Sequence, residues 1–214
     1  RRLLLCMGQS LALNIQTTEP VAMPQYRSVT RVVTAHRQLE GAGFPIRRAI
    51  PSGALGEQFD PFLLLDHMGP IAFGPGEAKG APWHPHRGFQ TITYLLDGEV
   101  VHKDSAGNTG TLRPGDFQLM TAGAGIIHDE SPSAAMKERG GLNEGFQIWV
   151  NLSREKKMSP PYYQDVPASA IPHHDGDGFR AAVAAGDAFG LRGPVETATP
   201  IHFVDVHARA VSSS

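Results

Sequence analysis

An all-β fold is what this sequence predicts, and three features carry that expectation. Glycine and proline, 24 and 17 residues, make up about a fifth of the chain and punctuate short apolar segments. Long stretches of helical period are absent. Between the apolar segments stand turn signals: Asp97-Gly98, Ala106-Gly107-Asn108, Pro114-Gly115-Asp116 and Gly123-Ala124-Gly125. This is the pattern of many short strands joined by tight turns.

Taken in order, residues 1–29 show no clear pattern and are expected as a poorly ordered N-terminal extension. The clearest strands fall at about 62–66, 90–96, 109–112, 117–121, 126–129 and 146–152. Asp97-Gly98 reads as a hairpin turn, because glycine accepts positive φ there. Residues 131–144 are small and polar and suit a short helix or a loop. From Met158 to Gly176 the text is rich in proline, and since proline cannot donate to a ladder, a regular sheet is not expected there. Strand character resumes at 179–185 and 201–207, and Ser212-Ser213-Ser214 reads as a frayed end.

The chemistry is carried by His84-Pro85-His86 and, some forty residues later, His128-Asp129-Glu130. Each is an i, i+2 pair. In a strand both members of such a pair project to the same face, so two neighbouring strands inside a barrel would bring three imidazoles and a carboxylate to one point. His84, His86, His128 and Glu130 are therefore the predicted metal ligands. With no thiolate in the set, a finger-type structural zinc site is disfavoured. Iron, manganese, cobalt, nickel, copper and zinc all accept such donors, and four protein ligands leave about two positions of an octahedron open for a substrate or dioxygen. Gly88 and the turn 123–125 would let backbone come close to the metal.

The other candidates receive plainer expectations. His67 reads as a hydrogen-bonded structural histidine, His102 as an exposed strand residue, and His173-His174 as loop. Trp83 and Phe89 read as core packing, Asp129 as facing solvent or held in a turn hydrogen bond, and Glu144 and Gln147 carry no assigned chemistry.

Composition narrows the classes further. Apolar residues at 41% and charged residues at 19% describe an ordinary globular chain. A formal charge of −2 gives no bulk attraction to nucleic acid or anionic membrane. One cysteine, Cys6, excludes an intrachain disulfide framework. No apolar run has the length to span a bilayer. The start, Arg1-Arg2-Leu3-Leu4-Leu5, hints at a leader that Gly8-Gln9-Ser10 interrupts, so the expectation is a false or extended start on a cytoplasmic protein.

The run from His84 to Gly98, HPHRGFQTITYLLDG, and the run from Pro114 to His128, PGDFQLMTAGAGIIH, resemble the two motifs of the pirin family. The likeness extends over about 30–208. It implies a cupin-type bicupin: an N-terminal metal-binding barrel over 30–152, a linker over 153–178, and over 179–214 the start of an incomplete C-terminal cupin domain. Exposed strands of such a partial domain would favour self-association. By resemblance His84, His86, His128 and Glu130 fall on the family's metal ligands, with iron(II) the first expectation. Gln90 stands where the family usually carries Glu, and there it would tune the surroundings of the metal. The implied activity is the opening of a flavonol such as quercetin by dioxygen with release of carbon monoxide. In that reaction Glu130 would also be the catalytic base, taking the proton of the flavonol 3-hydroxyl. The alternative the family offers is a non-enzymatic, metal-bound, redox-sensitive regulator acting through protein partners.

Overall fold

A computed structural model describes residues 2–8, 28–29, 32, 34–50 and 56–209. In chain order the elements are β1 (Arg2–Gly8), β2 (His36–Glu40), β3 (Phe44–Ile50), β4 (Phe62–Phe73), β5 (Ala81–His86), β6 (Phe89–Asp97), β7 (Val100–Asp104), β8 (Thr109–Leu112), β9 (Phe117–Thr121), β10 (Ile126–Pro132), α1 (Ala134–Arg139), β11 (Gly141–Asn151), β12 (Tyr162–Val166), β13 (His173–Gly176), β14 (Phe179–Ala185), β15 (Asp187–Ala188), β16 (Leu191–Arg192) and β17 (Ile201–Ala208). Among the described residues α1 is the single α-helix. It starts at Ser133, whose hydroxyl accepts from Met136 N, and stops at Gly140 with φ 73°. No helix among them is long and apolar enough to cross a membrane.

Three sheets make the body. A seven-stranded sheet runs β12-β9-β6-β11-β4-β3-β2, a four-stranded sheet β5-β10-β7-β8, and a second four-stranded sheet β1-β17-β14-β13. Strand alternation gives the large sheet two different faces. Ile92 and Tyr94 of β6, Phe117 and Leu119 of β9, and Ile148 and Val150 of β11 share one apolar cluster with Ala184, Ala185, Ile201 and Phe203. The strands after residue 178 thus close the outer face of the barrel sheet. Thr91 and Thr93, next to them on β6, point the opposite way, into the space between the large sheet and β5-β10-β7-β8.

Phe203 is the peg of the outer face. It is fully buried, with its ring 4.9 Å from Phe117 and 5.2 Å from Tyr94. Tyr94 adds a hydrogen bond from its hydroxyl to Asp205 at 2.8 Å. Phe203→Ala is expected to cost about 3–5 kcal/mol of folding stability, read as a lowered urea midpoint. An unchanged midpoint would mean that 201–208 is not part of the barrel's cooperative unit.

Three expectations are corrected. Asp97-Gly98 is a turn with Gly98 at φ 94°, yet it makes no hairpin: β6 lies in the large sheet and β7 pairs β10 and β8. It carries the chain from one barrel wall to the other, whereas the β7–β8 link is a true hairpin. Second, the proline-rich stretch does contain a regular strand. β12 begins just after Pro160-Pro161 and pairs β9 from Tyr162↔Thr121 to Val166↔Phe117, so the prolines stand outside the ladder they were expected to prevent. Third, residues 2–8 form β1 and pair β17 along its length, which covers an edge expected to be open. The remainder of the segment 1–29 lies outside the described residues, save 28 and 29.

Candidate metal centre

β5 and β10 are antiparallel neighbours, with His128 opposite His84 and Ile126 opposite His86. The i, i+2 spacing and this register bring the three imidazoles together. His84 Nε2 lies 3.0 Å from His86 Nε2 and 2.9 Å from His128 Nε2. The three ligand atoms all fall within 4.8 Å of one another. His86 and His128 are buried, while His84 is partly open.

The donor set fits a divalent ion on chemical grounds. His84 Nδ1 is 2.8 Å from the Pro82 carbonyl, which can only accept, so Nδ1 carries the proton and Nε2 presents a lone pair. One lone pair cannot serve two neighbouring rings at once; a cation between the rings can. Two nitrogens each about 2.1 Å from one ion and at right angles lie about 3 Å apart, which is the separation found for both pairs. The site is therefore built for a divalent metal held by three neutral imidazoles.

Burial favours the neutral form of His86 and His128. It holds His86 down at about 4 against an ordinary 6.5, with His128 and His84 adding to the effect. Burial also lowers His128, against an opposing pull from Glu130. For a histidine whose folded pKa is depressed, the unfolded chain takes up protons first, so the associated stability is complete above about 6.5 and is lost as pH falls toward 4. The metal-free protein is expected to lose stability on the order of 3 kcal/mol from His86 across that window. Urea midpoints at pH 7, 5.5 and 4.5 would show it; a flat series would mean that the imidazoles are not desolvated.

Glu130 sits beside this triangle. Its Oε2 is 3.9 Å from His128 Nε2. Thr93 Oγ1 donates to Oε1 at 3.2 Å and Gln147 Nε2 to Oε2 at 3.0 Å. Gln147, given no role by the sequence, is thus a partner of the carboxylate. It also belongs to a polar row across the inner face of the large sheet. Cα partners run Arg48–Asp66–Gln147–Thr93–Gln118–Asp165 over six strands. Each strand contributes one member, so no single segment announces the row.

Other side chains depart from expectation. His102, expected exposed, is 1% exposed. It lies opposite Glu130 in the β7–β10 ladder, stacks on Tyr163 at 4.9 Å and faces Asp165 at 3.6 Å. A Cβ at Gly110 would collide with its ring, so that glycine makes room for it. Trp83, expected in the core, is 56% exposed and borders the cavity beside His84 and His86. Phe89 is half-buried and touches the site, its ring 5.1 Å from His86 and stacked on Trp149 at 4.5 Å. Gln90 does not face the metal. It lies on the outer face of β6, where it donates to Thr121 Oγ1 at 2.7 Å and accepts from Ala198 N at 3.1 Å, tying the C-terminal strands to the barrel. Gly88 and Gly123, expected to admit backbone to the metal, instead adjoin Lys157 and Ser159. His67 Nε2 donates to Glu144 Oε1, 2.8 Å away, and the ring stacks on Phe146, the structural role expected. Asp129 accepts from Ser131 Oγ at 2.7 Å, and His173 and His174 lie in β13 rather than in a loop.

His84 and His86 open onto a cavity of about 1220 Å³ whose wall includes Trp83, Phe89, Trp149, Met68, Arg48 and Asp66. Glu130 borders a small side cavity of about 50 Å³, and Gln147 lines both. An aromatic-walled cavity with metal-binding nitrogens at one side is suited to a flat organic ligand.

Comparison with known proteins agrees with this geometry. The sequence profile of the Pirin family matches residues 43–150. Pirin-like protein 2 of Arabidopsis thaliana is 43% identical over 179 residues, covering 84% of this chain and 52% of the relative. Pirin of Homo sapiens is 41% identical over 184 residues, 86% of this chain and 60% of the relative. The chain thus spans half to three-fifths of the length of these relatives. Among solved structures, a quercetin 2,3-dioxygenase from Acinetobacter baumannii is similar at TM-score 0.76 and 43% identity, over 81% of this chain and 61% of that one. With the cupin-type barrel, the converging histidines and the profile match all in agreement, this chain belongs to the pirin family.

Proposed function

We propose that this protein is a metal-dependent dioxygenase that opens a flavonol such as quercetin with dioxygen and releases carbon monoxide. The observation that carries the reading is a cluster of three imidazoles, of which His84 and His86 line the wall of a cavity of about 1220 Å³ shared with Phe89 and Trp149. The likeness to the Acinetobacter quercetin 2,3-dioxygenase supports it. His84, His86 and His128 hold the ion, which we take to be iron(II), with Glu130 as the fourth donor. The bound ion supplies Lewis acidity that orients and polarises a hydroxyl and carbonyl pair.

The chain's own residues do the rest. The Pro82 carbonyl fixes His84 in the tautomer that binds. Phe89 and Trp149, stacked together, give a flat substrate an apolar wall. Thr93 and Gln147 hold the Glu130 carboxylate beside His128, where it takes the proton of the flavonol 3-hydroxyl and leaves an electron-rich anion for dioxygen. The test is oxygen uptake and carbon monoxide release on adding quercetin to metal-loaded protein. Stoichiometric gas exchange is the expected result. Metal-loaded protein that consumes no oxygen would overturn the reading and leave the regulatory one.

A further inference from the structure

We infer that the Arg48–Asp66 pair forms a second recognition point in the main cavity. It accepts distal phenolic hydroxyls of an aromatic substrate and turns away substrates whose distal end is anionic. This rests on the flavonol reading and specifies which members of that class fit.

The pair is built into the cavity wall. Arg48 Nε donates to Asp66 Oδ1 at 2.8 Å and Arg48 Nη2 to Oδ2 at 2.7 Å. Nη2 also reaches Glu40 Oε1 at 2.9 Å. The Asp66 side chain is 6% exposed and that of Arg48 20%. An ion pair withdrawn from water contributes little net stability compared with apolar packing of the same volume. Its presence in the wall of an aromatic cavity therefore points to ligand chemistry.

Position and valence fit a ligand's far end. Trp149 and Gln147 lie on β11; β4, with Asp66, is next to it, and β3, with Arg48, is one strand farther. Two strand spacings amount to about 10 Å, a span suited to linked aromatic rings reaching away from the imidazoles. A carboxylate offers about four acceptor positions, of which the guanidinium occupies two. The others can accept short, charge-assisted bonds from phenolic O–H groups. A neutral ring without hydroxyls leaves those acceptors unpaired, and that is a strong basis for discrimination. The charged groups of the cavity wall are Glu40, Glu57, Asp60 and Asp66 against Arg48 and Arg87. At the distal end itself Glu40 and Asp66 stand against Arg48 alone, so a sulfated or carboxylated distal ring would meet excess like charge there.

Titration calorimetry under nitrogen on the metal-loaded protein tests this, since binding is then read without turnover. Quercetin carries two hydroxyls on its pendant ring, galangin is the same flavonol without them, and a ring-sulfated quercetin adds an anion. In the wild type, quercetin is expected to bind at least about ten-fold more tightly than either of the others. Asp66→Asn, checked for metal content and circular dichroism, should abolish the preference for quercetin while leaving the galangin Kd unchanged. Equal wild-type Kd values for quercetin and galangin would overturn the inference, as would an equal loss for both ligands in Asp66→Asn or binding of neither flavonol. If Asp66→Asn fails to fold, the wild-type series decides alone. The two proposals fail separately: the Kd pattern without carbon monoxide release removes the oxygenase, and carbon monoxide release with equal Kd values removes the subsite.

Discussion

Glu130→Gln is expected to lower turnover by about 10²–10⁴-fold even after the metal has been fully restored. The substitution keeps size and shape while removing the charge and the basic lone pairs. In the wild type both carboxylate oxygens accept hydrogen bonds, from Thr93 and from Gln147. Both donors are neutral, so they fix the orientation of the carboxylate without adding a counter-charge. Oε2 lies 3.9 Å from His128 Nε2, and in the proposed mechanism this group takes the substrate's hydroxyl proton. Steady-state rates at matched metal content measure the effect. Rates in metal-saturated Glu130→Gln equal to wild type would leave Glu130 as an anchor alone.

His86→Ala should act on the ion itself. His86 is buried against Phe89 and Trp149, with rings at 5.1 and 5.2 Å, so the aromatic wall survives its removal while one of three nitrogens is lost. Removing an outer hydrogen-bond partner of a ligand typically costs 10–100-fold in metal affinity; losing a ligand nitrogen is expected to cost more than about 100-fold. Competition with a chromophoric chelator reads the affinity directly. Wild-type affinity in His86→Ala would place the metal elsewhere.

The histidine triangle was legible in the sequence because strand geometry turns i, i+2 into one face, and His84, His86 and His128 needed only that β5 and β10 be neighbours. The all-β class followed from turn chemistry at positions such as Gly107 and Gly115, both at positive φ. The turns, however, do not say which strands they join. Asp97-Gly98 serves a crossing between sheets as readily as a hairpin. The polar row from Arg48 to Asp165 was hidden for a related reason: its members are spread over six strands and meet only through register. His102 was misread because a histidine on a short strand after a turn usually faces water, and only Gly110 opposite leaves room for its ring. Gln90 was misplaced because one step along a strand reverses the face, and the even positions of β6 look outward to the C-terminal strands.

The most direct test is the metal content of the wild-type protein after reconstitution near neutral pH, measured by elemental analysis on a desalted sample. The converging neutral imidazoles of His84, His86 and His128 predict about one first-row divalent ion per chain, retained through desalting. Protein that emerges folded and free of metal would contradict the centre and, with it, the chemistry proposed around it.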